Sequence, residues 1–170
     1  KILPFHRHTG PALSPFNAWV ILKGLETMPL RMERHVSNAQ RLAEVMQAHA
    51  AVETIYYPGL PSFPQYALAQ QQMQGAGALI AFNLKGGKAA AFRFLNALRI
   101  VAISNNLGDA KSLATHPATT THSNMTAPAR AAIGITDGTV RLSVGLESIA
   151  DLVADITTAL AAAGCCAVRL

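Results

Sequence analysis

Apolar positions along this chain keep two rhythms, a three-to-four-residue spacing and a strict alternation, and the changes between them outline its elements. Ser14-Pro15 is a helix start, a hydroxyl cap followed by a proline where a missing N–H costs no bond. Phe16, Trp19 and Val20 follow at helical spacing, with Leu22 and Leu25 beside them. Pro29 removes the bond back to residue 25 and predicts a kink or break. Val36, Ala39, Ala43 and Met46 resume the helical stripe, flanked by Leu42, so one long bent helix, or two in series, is predicted over residues 14–49. "VETIYYP" (Val52–Pro58) is β-branched and aromatic, ends in Pro-Gly, and reads as a strand. A short helix is predicted over residues 65–74. In "GALIAFNLKGG" (Gly77–Gly87), Ile80, Phe82 and Leu84 alternate onto one face, which predicts a second strand. Residues 88–98 read as helix, "RIVAIS" (Arg99–Ser104) as strand, and "TVRLSVG" (Thr139–Gly145) as another after the Asp137-Gly138 turn. Ser148 with Asp151 forms a capping-box pattern ahead of the stripe Ile149, Leu152, Val153, Ile156 and Leu160, and Gly164 stands where a C′ glycine belongs. Helix, strand, helix, strand, helix, strand, loop, strand, helix predicts an α/β layer with helices covering one sheet.

Composition changes this picture in one respect. Apolar residues make up 51% and charged residues 14% of 170 positions, where globular chains average roughly 25% charged. Either the chain packs tightly, or part of its surface is meant to be covered. The net charge of +5 is spread along the sequence with Glu26, Glu33 and Glu44 interleaved, so no basic stripe for phosphate tracking forms and nucleic-acid binding is not expected. Cys165 and Cys166 are adjacent, which excludes a disulfide framework, and two ligands are too few for structural zinc. No apolar run reaches the ~18 residues of a membrane span, and a cytoplasmic location is expected. "KILPFHRHTGPALSPF" opens as if within a loop that feeds a helix, which suggests a piece of a longer protein. The tail "GCCAVRL" (residues 164–170) extends past the last helix.

Candidate chemistry centres on Arg141. In "TVRLSVG", Val140, Leu142 and Val144 share one face of the strand, and Arg141 and Ser143 share the other. An arginine in mid-strand is expensive to bury unpaired, and its planar fork suits a carboxylate gripped by two parallel hydrogen bonds. The ordinary alternatives are a solvent-facing side chain and a structural salt bridge. Against them stands the segment "THPATTTHSNM" (Thr115–Met125), a hydroxyl-rich stretch that ends shortly before the strand. His116 and His122 are six apart and fit no helical metal-ligand spacing, while His6 and His8 have no acidic neighbours, so no metal site is expected. A nucleophile-elbow motif, a glycine-rich phosphate loop and a C-x-x-C are all absent. On residues alone, the reading is an α/β domain with an anion-binding polar loop.

"RHTGPALSPFNAWVILKGLETMPLRMERH" (Arg7–His35), "YYPGLPSFPQ" (Tyr56–Gln65), "SNNLGDAKSLATHPATTTHSNM" (Ser104–Met125) and "IGITDGTVRLSVGLES" (Ile133–Ser148) closely resemble, in order, the C-terminal part of the Cys/Met-metabolism enzymes that use pyridoxal phosphate. The similarity runs from about residue 3 to residue 163. "SNNLGDAKSL" with "THPATTTHSNM" looks most like the O-succinylhomoserine sulfhydrylases, where lyase and cystathionine-synthase relatives more often carry serine at the place of Asn106. The resemblance implies the small C-terminal domain of a fold type I transferase, with a short, mostly antiparallel sheet covered by helices and a long kinked connecting helix before it. It divides the chain into an entry loop and linker helix (1–49), a substrate-binding α/β domain (50–164) and a tail (165–170).

What the family does then follows as expectation. The resemblance implies that Arg141 binds the α-carboxylate of the amino-acid substrate, with Asn106 (by side chain or backbone) and Thr121 beside it, and that His116 and His122 brace the loop. It implies pyridoxal 5'-phosphate as cofactor, held as a Schiff base by a lysine in a Ser-x-Thr-Lys setting upstream of "RHTGPALSPF". Lys23, Lys85, Lys88 and Lys111 do not stand in that setting, and Lys1 opens the sequence. No catalytic residue is therefore expected in this chain, the cofactor-holding residues are expected in an absent N-terminal large domain, and the chain alone is expected to be inactive. A complete enzyme would be a cytoplasmic homotetramer of dimers making homocysteine from O-succinylhomoserine and sulfide for methionine biosynthesis. The alternatives are the same domain of a methionine gamma-lyase or cystathionine gamma-synthase, or a stand-alone carboxylate-binding or subunit-interaction domain.

Overall fold

In the computed structural model, residues 2–3 and 13–164 are described; His6, His8, Cys165 and Cys166 lie outside them. The chain forms two units, residues 1–31 and 32–170. In the first, helix α1 (Pro15–Glu26) starts as the Ser-Pro pair predicts, with the Ser14 Oγ accepting from the Asn17 N–H at 3.2 Å. It carries no buried residue. The helix stops at Thr27, two residues before Pro29, and a new helix α2 (Met28–Gln47) begins with that proline in its first turn. There the missing N–H leaves no bond broken, so the proline opens a helix rather than bending one.

The second unit is a five-stranded sheet in the order β1-β2-β5-β4-β3, where β1 is Val52–Tyr56, β2 Leu79–Leu84, β3 Ala102–Ile103, β4 Leu113–Thr115 and β5 Thr139–Ser143. All neighbours are antiparallel except β3 and β4. Register sorts the side chains. Ile80 lies opposite Leu142 and Phe82 opposite Val140, and Leu142 also pairs with Ala114, so these share the face against which the core forms. Ala81 and Thr115 both pair with Arg141, which puts all three on the opposite face with Thr139 and Ser143.

Helix α3 (Tyr66–Gln72) joins β1 to β2, α4 (Gly87–Ala97) follows β2, and α6 (Ile149–Gly164) closes the fold. Phe94 of α4 meets Phe82 edge-on at 5.4 Å, and Leu152, Ile156 and Leu160 of α6 are fully buried in the same cluster as Leu42 and Met46 of α2. The arrangement is the predicted α/β layer, a short and mostly antiparallel sheet covered by helices. Tyr57 sits in this core with its hydroxyl donating to the Gly77 carbonyl at 3.0 Å.

Three departures from the expected elements have clear causes. "RIVAIS" pairs only at Ala102–Ile103, because the N–H groups of Arg99, Ile100 and Val101 all donate to the buried Asp155 carboxylate (2.8, 3.0 and 3.1 Å) and not to a strand. Gly164 is itself helical and has no left-handed φ, so it is not a C′ residue, and the α6 carbonyls at Ala162 and Ala163 accept instead from the Arg93 guanidinium. The polar stretch between β3 and β5, expected as loop, contains strand β4, a 3₁₀ turn (Pro117–Thr119) and helix α5 (Ala127–Ala132) capped by Thr126.

Candidate functional site

Arg141 stands in the middle of β5 with the core on the other side of the strand. Its half-buried side chain sends Nη2 to the backbone carbonyls of Asn105 (2.9 Å) and Asn106 (3.2 Å). Ion pairs among the described residues join Lys23 to Glu26, Arg41 to Glu44, Lys111 to Asp109 and Arg130 to Asp137; none includes Arg141. Two carbonyl dipoles orient the guanidinium without neutralising it. Its Nε and Nη1 donors make no hydrogen bond among the described residues, so the planar cation keeps three further N–H groups of a kind that suits an anion.

The hydroxyl-rich segment lies against the same strand. Thr115 is directly across from Arg141 in the β4–β5 register. Its hydroxyl pairs with that of Thr120 (2.9 Å), which also reaches the His116 carbonyl at 2.9 Å, and the Ser123 hydroxyl donates to the Thr120 carbonyl at 2.9 Å. His116 is buried. Its Nε2 is 2.9 Å from the Asp137 carbonyl, which can only accept, so Nε2 carries the hydrogen. In the neutral ring Nδ1 then accepts from the Thr119 hydroxyl at 2.9 Å. His116 therefore ties the loop to the turn that leads into β5, and His122 pairs with Thr121 at 2.8 Å.

Of the expected site residues, the structure brings Arg141 and Asn106 into direct contact, through the Asn106 backbone carbonyl. Thr121 is exposed with its hydroxyl on His122, and no hydrogen bond joins it to Arg141. Unforeseen in the sequence is the support behind the strand end. His35 Nδ1 donates to the Val144 carbonyl (2.6 Å), and Asn38 Nδ2 reaches the carbonyls of Gly145 and Glu147 at 3.0 Å each. Ser112 donates its N–H and hydroxyl to the two Glu147 oxygens (2.6 and 2.9 Å), while its Oγ accepts from the Gly145 N–H at 2.8 Å. The spacing of His35 and Asn38, both on the α2 stripe that buries Leu42 and Met46, is the signal that finds them.

The family model for the Cys/Met metabolism PLP-dependent enzymes matches residues 1–161. The chain belongs to this family. It is 56% identical over 158 residues to the O-succinylhomoserine sulfhydrylase of Mycobacterium tuberculosis, covering 91% of this chain and 39% of that relative. Identity is also 56%, over 154 residues, to the L-methionine gamma-lyase of Pseudomonas deceptionensis, again covering 91% and 39%. A crystal structure of cystathionine gamma synthase from Xanthomonas oryzae pv. oryzae, in complex with aminoacrylate and cysteine, superimposes with a TM-score of 0.86 at 45% identity, covering 92% of this chain and 40% of that one. The chain thus spans about two fifths of the length of the family members it matches.

Pyridoxal phosphate is the cofactor of this family. The described residues do not fit a site for it by themselves. An aldehyde needs an amine, yet Lys23 and Lys111 are paired with Glu26 and Asp109, and Lys88 lies over the Phe92 ring. Among the described residues no lysine, Lys85 included, bonds to Arg141 or to the Thr115–Thr121 loop. What the described residues offer is a guanidinium with spare donors across the sheet from a hydroxyl-rich loop.

Proposed function

We propose that this chain is the substrate-binding domain of a PLP-dependent sulfhydrylase that makes homocysteine from O-succinylhomoserine and sulfide. The observation that carries the reading is the Arg141 guanidinium, fixed by the Asn105 and Asn106 carbonyls and unpaired with any acid among the described residues. In this role Arg141 grips the α-carboxylate of the amino acid, Asn106 positions the guanidinium through its backbone, and Thr121 contributes a hydroxyl at the rim. Orientation of the amino acid by its carboxylate places its amino group and side chain relative to a cofactor held by residues outside this chain, including the Schiff-base lysine. The "SNNLGDAKSL" segment and the Mycobacterium tuberculosis relative favour the sulfhydrylase reaction. Equal identity to the Pseudomonas deceptionensis enzyme supports a second reading, methionine gamma-lyase.

The test is a complete enzyme carrying this chain, assayed with O-succinylhomoserine plus sulfide and separately with methionine alone. Homocysteine from the first mixture supports the sulfhydrylase; breakdown of methionine without it establishes the lyase. In either case Arg141→Ala removes charge-assisted hydrogen bonds worth about 3 kcal/mol, a rise in KM on the order of 100-fold. Arg141→Lys keeps the charge but loses the fork and recovers only part of that. A KM unmoved by Arg141→Ala would refute the carboxylate role under both readings. Turnover by the 170-residue chain alone would refute its place as one part of a larger site.

A further inference from the structure

The face of β5 that carries Arg141 carries two more polar side chains: Thr139, which is engaged with Asn83 and Thr136, and Ser143, which has no part in the reading above. Ser143, two residues along and so on the same side of the strand, is 2% exposed. Its Oγ accepts from the N–H of Gly108 at 2.9 Å. Gly108 has φ +78°, a left-handed conformation that favours glycine, and it lies three residues after Asn105 in the same loop. Three backbone groups of one short loop are thus read by two neighbouring side chains of one strand. The carbonyls of Asn105 and Asn106 go to Arg141, and the N–H of Gly108 goes to Ser143.

The rest of the loop is tied only at its ends. Ser104 N–H donates to the Ala114 carbonyl at 3.0 Å, and Leu146 N–H to the Ala110 carbonyl at 2.8 Å. Between these anchors, Asn105 to Asp109 are exposed or half-buried, and their remaining hydrogen bonds, Asn106 N–H to Ser104 Oγ and the pairing of Asp109 with Lys111, are local. The long-range hold on this stretch is therefore Arg141 and Ser143. Arg141 cannot aim itself: a long side chain has many rotamers, and it is oriented only as well as its two carbonyl partners are. Those partners are fixed in turn by the neighbouring Gly108.

We propose that Ser143 is a positioning residue for Arg141. By pinning the Gly108 N–H it sets the Asn105–Asn106 carbonyls against β5 and so holds the guanidinium in the orientation that receives a carboxylate. The inference rests on the reading of Arg141 as the carboxylate-binding group, and its test separates the two.

Hydrogen–deuterium exchange of the chain supplies the first readout, comparing wild type with S143A and S143T. S143A is expected to speed exchange within residues 105–109 at the Gly108 amide by about tenfold, the loss of its one hydrogen-bonded anchor, while β2 and α6 exchange as in wild type. S143T keeps the acceptor and is expected to restore protection. Unchanged exchange at 105–109 in S143A, or a rise spread evenly through the sheet, would overturn the proposal. Should S143A fail to fold, S143C, of similar size but with a weaker acceptor, carries the same comparison. Kinetics of the complete enzyme supply the second readout. S143A is expected to raise KM for the amino acid about tenfold with kcat within about twofold, and S143T to recover it. If R141A raises KM and S143A does not, the positioning role fails alone. If R141A leaves KM unchanged, the carboxylate reading fails, and the exchange data still decide whether Ser143 holds the loop.

Discussion

Arg141 was legible as a candidate because alternation exposes it: between Val140 and Leu142, both fully buried on the core side, a charged residue has to face the other way. Its partners were not legible, since the groups that hold it are backbone carbonyls, and no residue type announces where its carbonyl will point. The same limit explains why Asn106 is identifiable as a position while its means of contact, backbone rather than side chain, needs coordinates. Burial acts on single residues in a second, measurable way. Desolvation, and next the nearby Glu44 carboxylate, push the Tyr57 phenol from 10.0 up to about 12. The unfolded phenol ionises near pH 10, so above that pH the unfolded state loses a proton that the folded state retains, and stability declines until the folded group also titrates. Denaturant unfolding of the wild type is expected to show a loss between pH 10 and pH 12 that Tyr57→Phe lacks. Equal pH profiles for the two proteins over that interval would show that the phenol titrates as if exposed.

Elements with a long, clean period were readable from the chain, and those without one were not. Ile80, Phe82 and Leu84 alternate, and β2 lies inside the predicted stretch; Leu152, Ile156 and Leu160 repeat every four residues, and α6 begins at Ile149 as expected. Strand β4 has three residues, too few to show a period, and takes its strand geometry from pairing with β5 and β3. Asp155 was hidden for a related reason. It falls one residue before Ile156 on the buried side of α6, where a charge contradicts the apolar stripe, and only the three N–H groups of residues 99–101 make its burial tolerable. These bonds splice the segment after α4 onto α6. Asp155→Ala strands the buried Val101 donor and releases those of the exposed residues Arg99 and Ile100, and is expected to cost about 2–3 kcal/mol, read as a lower denaturant midpoint with unchanged slope. Asp155→Asn retains one acceptor oxygen and is expected to lose less. A cost below about 1 kcal/mol for Asp155→Ala would mean that water replaces the carboxylate without penalty.

For the whole molecule, the low charge content finds its explanation in α1. Trp19, Val20, Ile21 and Leu22 are consecutive, and successive helical residues are about 100° apart, so apolar side chains run around the entire circumference. Phe16, Trp19, Ile21 and Leu22 are each more than half exposed, at 68, 54, 54 and 59%. A helix apolar on all sides is ordinarily buried, and an apolar surface of this extent drives association. The 170-residue chain on its own is therefore expected to self-associate with concentration, in a broad distribution of sizes, when followed by sedimentation velocity. Trp19 is the chain's single tryptophan, so its emission should shift to the blue as association proceeds. Replacing Trp19 and Leu22 by lysine places charge on two sides of the helix. The doubly substituted chain is expected to sediment more slowly and uniformly, while circular dichroism and the unfolding transition of the sheet unit, whose core cluster includes no α1 residue, stay as they were. A wild-type chain that remains monomeric across a hundredfold range of concentration would show that this apolar helix tolerates water without a partner.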